Sequence, residues 1–441
     1  MTTFKASTSG KRRERSRTPG RLSVAEIVET AVEPPLPFRL TAYDGSSAGP
    51  PDHPLVVHLA GPRALTYVLL APGDLGLARA YVAGDIRFNL SPGDPYPMLR
   101  AMADGMHLTR PSPAELKDIA VSLGWRALVP VAPPAEEAPP HWRRVVRGLR
   151  HSKSRDADSI HQHYDISNTF YEHVLGPSMA YTCAVYPTLD ASLDDAQEEK
   201  YRLVFDKLGL QPGQRLLDVG CGWGSMVRYA ARRGVPALGV TLSAEQAAWA
   251  QQAIRREGLE GLAEVRHSDY RDVTSGEFDA IASIGLTEHI GVAHYAGYFR
   301  FLFERLRPGG RLLNHCITRP TNSERIKTEP FIDRYVFPDG ELTGSGRIIT
   351  EIQNVGFEVR HTENLREHYV LTLRDWCANL DRSWAACVAE AGEGMARTWG
   401  LYMAASRLGF ERNEIQLHQV LAVRPGPAGD SAVPLRPWWS G

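Results

Sequence analysis

The chain has almost no net charge, no hydrophobic run long enough to cross a bilayer, and no cysteine pattern that would staple it or bind zinc. It has 50 Lys and Arg against 51 Asp and Glu, a formal charge of −1 over 441 residues. No run approaches the ~18–20 apolar residues that a spanning helix needs. If the substrate is a membrane lipid, the protein therefore visits the surface rather than living inside it. No apolar signal region stands at the N-terminus, and the five cysteines form no C-x-x-C pair. A reducing cytoplasm is the expected home. His161 and His163, at i, i+2 with no carboxylate trio nearby, are weak metal ligands, so no metal is expected. No internal repeat is present.

The near-neutral total hides two basic clusters. Lys5, Lys11, Arg12, Arg13, Arg15, Arg17 and Arg21 stand against Glu14 alone, and residues 143–155 carry Arg143, Arg144, Arg147, Arg150, Lys153 and Arg155. Such clusters suit anionic head groups or a solvated tail. No aromatic residue is interleaved among the tail arginines, which argues against a nucleic-acid platform. A chain of this length suggests more than one domain. Residues 1–20 read as a disordered basic tail and 21–130 as a small α+β domain. In the latter, β-like runs (Pro37 to Ala42, Leu55 to Leu59, Thr66 to Leu70) alternate with a helical stretch near Leu75 to Ala83. Residues 131–155 read as a Pro-rich and basic linker, because the prolines of Ala132 to Pro140 forbid regular structure. An α/β domain is predicted over 156–425, interrupted by an irregular insertion over 320–350, with a tail over 426–441.

The most informative stretch is Leu216-Leu217-Asp218-Val219-Gly220-Cys221-Gly222-Trp223-Gly224. A short apolar strand running into Gly-x-Gly-x-Gly brings backbone N–H groups and a helix N-terminus against a nucleoside. Three later strands also end in polar residues. Ala237 to Val240 ends in Thr241-Leu242-Ser243-Ala244-Glu245-Gln246, Ala263 to Arg266 in His267-Ser268-Asp269-Tyr270-Arg271-Asp272, and Phe278 to Ile284 in Gly285-Leu286-Thr287-Glu288-His289. Polar strand ends along one rim are where doubly wound sheets bind ligands. Asp269 with Tyr270 and Arg271 suits an adenine. The second strand lacks the terminal Asp or Glu that holds a dinucleotide ribose and ends in Thr241 instead, which disfavours NAD.

Together these segments resemble the S-adenosylmethionine-dependent methyltransferases, and within them the cyclopropane fatty acid synthase family. The likeness is carried by His163-Tyr164-Asp165-Ile166-Ser167-Asn168, Met179-Ala180-Tyr181-Thr182-Cys183, the Leu216 to Gly224 loop, Thr241 to Gln246, Glu288-His289-Ile290-Gly291, His315-Cys316-Ile317, His368-Tyr369-x-x-Thr372-Leu373-x-x-Trp376 and Ile415-Gln416-Leu417-x-Gln419-Val420. A weaker likeness reaches Gly73 to Tyr81. The resemblance implies a Rossmann-like class I methyltransferase domain with a smaller N-terminal α+β domain. In this family such an N-terminal domain accompanies phospholipid-modifying enzymes, so the resemblance implies that 21–130 is a lipid-associated domain. The implied cofactor contacts are Tyr164, Tyr181, Thr182, Asp218, Gly220, Cys221, Gly222, Gly224, Thr241, Leu242, Ser243, Gln246, Tyr270 and Arg271. A bound bicarbonate is the implied base, held by Cys183, Glu288, His315, the Ile317 backbone and Tyr369.

The chemistry makes sense of those residue types. An isolated cis alkene is a poor nucleophile and must be pressed against the sulfonium methyl in a dry site. Methyl transfer leaves a carbocation, from which a proton must go. Without the resemblance, Cys183 reads as a small core residue, His315 as a satisfied core histidine and Tyr369 as a packed ring. Glu288, closing an apolar strand at the sheet rim, reads as functional. The family commonly has Phe before the Glu-His pair; here it is Thr287. The Arg-, Ala-, Gly- and Pro-rich composition resembles high-GC actinobacterial proteins, which favours the tuberculostearic acid branch. There a methylene product is passed to a separate reductase; a cyclopropane is the other outcome. The expected partners are phospholipid acyl chains at the membrane surface, with no nucleic acid and with a homodimer allowed. A methyltransferase for a small soluble metabolite and a non-catalytic lipid-binding protein are the competing readings.

Overall fold

The computed structural model describes residues 21–109, 111–124, 129–137, 167–274, 276–322, 330–336 and 340–439. The basic tail, the arginine-rich 143–155 stretch, the histidine pair and Tyr164 lie outside the described residues. The chain divides into two compact units: one of residues 1–138, 329–336 and 380–409, the other of 139–328, 337–379 and 410–441. The sequence alone assigned 329–336 and 380–409 to the α/β domain. They return to the first unit, where Leu401 and Leu408 supply apolar surface to its interior.

The second unit is an α/β layer structure. Its strands are β5 (Leu216–Val219), β6 (Ala237–Thr241), β7 (Ala263–His267), β8 (Phe278–Ile284), β9 (Leu306–Thr318), β10 (Glu358–Asn364) and β11 (Gln416–Val423). They lie in the order β10-β11-β9-β8-β5-β6-β7. The five strands from β9 to β7 are parallel, and β11 runs antiparallel to both β9 and β10. β5 is buried along its whole length, as a central parallel strand covered on both faces must be. One face packs Val204, Leu208, Met226, Val227 and Ile254, and the other packs Ile281, Tyr298, Phe299, Leu302 and Ile352. Because the strand order reverses beside β5, its C-terminal end opens a crevice.

Local chemistry sets the elements that frame this crevice. Ser192 caps the Leu193–Leu208 helix through Asp195 N–H, Asp194 and Asp195 sit in its first turn, and left-handed Gly209 ends it. After β5, the N–H groups of Gly220 and Cys221 both donate to Val240 O, at 2.9 and 3.0 Å, tying the glycine loop to β6. That tie demands a bare backbone on β6, since a Cβ on Gly239 would stand 2.7 Å from Cys221 Sγ and 2.8 Å from Val227 Cγ2. Gly239→Ala is expected to lower stability by about 1–3 kcal/mol through overpacking, read as a lower denaturant midpoint. An unchanged midpoint would mean the loop can back away freely.

The first unit carries a four-stranded sheet, ordered β2-β1-β3-β4, of β1 (Arg39–Ala42), β2 (Ser47–Ala48), β3 (Val56–Leu59) and β4 (Ile86–Phe88). The run Thr66 to Leu70, expected to be β-like, is helical within Pro62–Leu70. Pro62 starts that helix, and the burial of Ala64 and Tyr67 on one face overrides the β preference of Thr and Val. The expected irregular insertion contains two helices, Pro330–Tyr335 and Ser345–Asn354. The start of the proline-rich stretch is docked rather than loose. Tyr67 OH donates to Ala132 O at 2.8 Å, and the fully buried Glu137 carboxylate takes a two-pronged bond from Arg79 at 2.5 and 2.7 Å and a further one from Arg334. Among the described residues no helix is long and apolar enough to cross a membrane.

Candidate active site

The C-terminal ends of β5, β6, β7 and β8 surround a cavity of about 140 Å³. Of the expected cofactor residues, Tyr181, Thr182, Asp218, Gly220, Cys221, Gly222, Thr241, Leu242, Gln246, Tyr270 and Arg271 line it. Gly224 and Ser243 stand one layer back and build the frame. Gly224 opens the Ser225–Ala231 helix in the left-handed region, and Ser243 Oγ accepts Gln246 N–H at 3.2 Å as the cap of the Ala244–Arg256 helix. Thr241 Oγ1 donates to Gln246 Oε1 at 2.8 Å. The acceptor end of that amide is thereby engaged, leaving its NH2 for a ligand. Asp269, expected beside an adenine, directs its carboxylate to Arg271, with Nε at 2.8 Å and a terminal nitrogen at 2.6 Å; Ser268 lines the cavity instead.

Asp218 is the buried acid of the pocket. Its Oδ1 meets no hydrogen-bond donor among the described residues, and burial pushes its carboxyl well up while Lys200 opposes that. Lys200 is a residue that sequence reasoning missed. It is fully buried on the Leu193–Leu208 helix, lines the cavity and donates to Thr182 Oγ1 at 2.8 Å. Burial pushes its ammonium down, and its field reaches Cys183, Asp218 and His315. The signal was present: Leu193, Ala196, Gln197, Lys200, Leu203, Val204 and Lys207 recur at helical spacing on one buried face, and two of those places hold lysines. Trp223, Leu286, His289 and Ile290 also line the cavity and were not anticipated as ligand contacts.

The five residues expected around a bicarbonate do not line this cavity. Cys183 follows Thr182, and Glu288 falls between Leu286 and His289. His315 O accepts Gly285 N–H at 2.8 Å, while a Cβ on Gly285 would be 2.9 Å from Thr182 Cγ2. Ile317 N–H, expected to face the anion, donates to Glu288 Oε1 at 2.7 Å. Glu288 Oε2 is buried with no partner among the described residues, and burial pushes its carboxyl up to about 7 against the pull of that N–H. Cys183 directs its thiol to Ala184 O at 3.2 Å, and burial raises it far from ionisation. It is no nucleophile. Tyr369 sits in the first turn of the Arg366–Arg382 helix with its ring 4.4 Å from Phe410. That helix also holds the Cys183 segment, since Ala184 N–H donates to Thr372 Oγ1 at 3.0 Å and the tilted ring of Trp376 packs 5.5 Å from that of Tyr181.

His315 has a defined tautomer. Register pairs Gln419 of β11 with His315 of β9. Buried Lys207 donates to Gln419 Oε1 at 2.7 Å, so the amide NH2 is the end that meets His315 Nδ1 at 3.2 Å. Nδ1 is therefore the acceptor and Nε2 carries the proton. That Nε2–H is buried without a partner among the described residues. Burial, reinforced by Lys200 and Lys207, holds the ring well below its usual range, so it stays neutral. Thr287, the departure noted in the sequence, donates to Asn314 Oδ1 at 2.6 Å, which satisfies its buried hydroxyl. Among the described residues no cluster of three or more His, Cys, Asp or Glu could hold a metal ion.

The sequence model of the family described as mycolic acid cyclopropane synthetase matches residues 151–420. The chain is 60% identical over 424 residues to a protein of Mycobacterium tuberculosis named probable fatty acid methyltransferase, covering 96% of this chain and 99% of that one. It is 34% identical over 295 residues to the cyclopropane-fatty-acyl-phospholipid synthase of Escherichia coli, covering 65% of this chain and 75% of that protein. Among solved structures, the mycolic acid cyclopropane synthase CmaA1 complexed with SAH and CTAB superposes with a TM-score of 0.56 at 31% identity, covering 60% of this chain and 97% of that one.

Proposed function

Since the chain belongs to the mycolic acid cyclopropane synthetase family, we propose that it is an S-adenosylmethionine-dependent C-methyltransferase of lipids. Its acceptor is the cis double bond of an unsaturated fatty acyl chain on a phospholipid, met at the cytoplasmic membrane surface. Its product is a mid-chain methylene that a separate reductase converts to a methyl branch. The observation that carries this reading is one pair of atoms. Glu288 Oε2 and His315 Nε2 are an acceptor and a donor, both buried and both without partners among the described residues.

The residues present fit the donor. Asp218 Oδ1 would take the cationic amino group, the backbone from Gly220 to Gly222 would approach the nucleoside, Gln246 Nε2 would reach a ribose hydroxyl, and Tyr270 with Arg271 would flank the adenine. S-adenosylmethionine, when bound, supplies the methyl as an electrophilic carbon on sulfur. This chain's own residues exclude water and manage the proton. Addition of the methyl to one alkene carbon leaves a cation on its neighbour. A hydride shift followed by loss of a methyl proton gives the methylene, whereas loss of that proton with ring closure gives the cyclopropane. A buried carboxyl poised at about 7 can hold the released proton at Oε2. A bicarbonate would give its O–H to Glu288 Oε2 and accept at an anionic oxygen from His315 Nε2, both unpartnered among the described residues; when bound it would supply a base.

Two measurements check this reading. Lipids of a host expressing the chain should gain one CH2 on their monounsaturated acyl chains, and fragmentation should place it mid-chain as a methylene. No gain, or a gain confined to water-soluble metabolites, would overturn the assignment. Gln419→Leu removes the donor to His315 Nδ1 while Glu363 still pairs with Lys207. Turnover should fall on the order of tenfold, below the full 10²–10⁴ of a proton-transfer group, with unchanged S-adenosylmethionine affinity. Loss of that affinity instead would assign Gln419 to packing alone.

A further inference from the structure

The glycine-loop pocket carries a buried cation that methyl transfer itself leaves without a task. Three charged residues line the pocket: Lys200, Asp218 and Arg271. The carboxylate of Asp269 holds Arg271, which leaves Lys200 and Asp218. Lys200 is 1% exposed. Among the described residues its ammonium makes one hydrogen bond, to Thr182 Oγ1 at 2.8 Å, and lies 4.3 Å from the centre of the Tyr201 ring. Neither contact carries a full negative charge, and a buried ammonium needs one. The chain by itself offers Asp218, whose Oδ1 meets no hydrogen-bond donor among the described residues. Burial pushes the lysine down and the acid up, while the field of each favours the charged form of the other.

Lys200 also reaches the residues that handle the proton. Its acceptor, Thr182, precedes Cys183 and packs against Gly285, whose N–H bonds His315 O at 2.8 Å. Gln197, three residues earlier on the same helix, donates to Thr182 O at 3.1 Å, so one helix grips Thr182 twice. The field of Lys200 falls on Cys183 and His315 as well as on Asp218. Burial keeps both of those neutral, raising the thiol and lowering the imidazole. Lys207, the other buried lysine of this helix, is paired with Glu363. An anion between Glu288 Oε2 and His315 Nε2 therefore has Lys200 as its nearest uncommitted positive charge, once Asp218 is engaged by another cation. On the reading that Asp218 takes the ammonium of the methyl donor, we propose that Lys200 is a positioning residue that couples the two sites: the donor's ammonium replaces Lys200 as the partner of Asp218, and the released positive charge draws an anion to the Glu288–His315 pair. The donor loads first and the base is recruited second. Coupling between sites is reciprocal, so the anion tightens cofactor binding by the same factor.

The test is a calorimetric titration of the full chain with S-adenosylhomocysteine, in sodium bicarbonate and in sodium chloride of equal ionic strength and pH. This probe keeps the ammonium but lacks the sulfonium, so direct attraction between sulfonium and anion is excluded. Wild type should bind it at least about fivefold tighter in bicarbonate, the lower end of common couplings. Lys200→Met keeps much of the side-chain shape and removes both charge and donor; Lys200→Gln keeps a donor for Thr182 Oγ1 and removes the charge alone. Both should bind S-adenosylhomocysteine with the same affinity in the two salts, which assigns the coupling to charge. Wild-type affinity indifferent to bicarbonate, or a wild-type coupling that survives in Lys200→Gln, overturns the proposal and leaves the methyltransferase reading standing. A wild-type chain that binds no S-adenosylhomocysteine in either salt overturns that reading itself.

Discussion

Glu288→Gln should lower methyl-transfer turnover by ~10²–10⁴-fold, the usual worth of a proton-transfer group, and leave S-adenosylmethionine affinity unchanged. The substitution is nearly isosteric. Glutamine's carbonyl oxygen can still accept Ile317 N–H, so the local backbone is held, but the unpartnered oxygen becomes an NH2 that cannot take a proton. Single-turnover assays beside a binding titration separate the two effects. Full turnover in the variant would remove Glu288 from the proton path. The same change carries a stability signature with a definite sign. In the folded protein the carboxyl keeps its proton up to about 7, whereas in the unfolded chain it ionises from 4.5. Between those values the folded state binds more protons, so stability falls as pH rises from 4.5 to 7 and the full penalty persists above. That penalty is roughly 3 kcal/mol. Glutamine escapes it, so the variant should be the more stable protein at pH 8, with the gap closing below pH 4.5. Denaturant titrations at both ends check this. A gain in stability paired with lost turnover is the mark of a group kept for chemistry.

Gly222→Val should weaken S-adenosylhomocysteine binding by at least ~100-fold, on the order of 3 kcal/mol. Gly222 has φ +53, lines the pocket, and a Cβ on it meets no protein atom within 4 Å. In the proposed complex the nucleoside would occupy the open space it faces. A β-branched side chain there would displace the nucleoside and also strain the left-handed backbone by about 1–2 kcal/mol. Gly258 supplies the control, with φ +67, an equally open Cβ direction and a position at the far end of the Ala244–Arg256 helix. Gly258→Val should carry the backbone cost with binding intact. Calorimetric titration of both variants decides between contact and strain. Equal losses in the two would mean that the loop's conformation, not its closeness to the ligand, matters.

Much of the site was legible because it is written locally. The glycine loop, the polar residues after β6 and β7, and Glu288 after β8 are each fixed by a few neighbouring residues, and eleven of the expected cofactor contacts line the pocket. What escaped notice depends on distant partners. Lys200 is buried because its helix packs on the sheet. The His315 tautomer is decided by Gln419, more than a hundred residues away, and by the lysine that orients Gln419. Ile317 N–H turns to Glu288 rather than outward, a choice of hydrogen-bond partner that no local pattern encodes. Thr66 to Leu70 misled for the same reason, its β preference being overruled by helix packing.

From its amino acids alone, this protein was committed to an α/β methyltransferase frame, because hydrophobic periodicity and glycine placement act over short stretches and dictate strand ends. Tertiary structure decided which buried polar atoms remain unpaired, which lysines enter the interior, and that residues 380–409 return to the first unit. The division follows from range: backbone conformation is governed by near neighbours, whereas burial, proton affinity and cavity volume are set by whichever remote segments pack against a group.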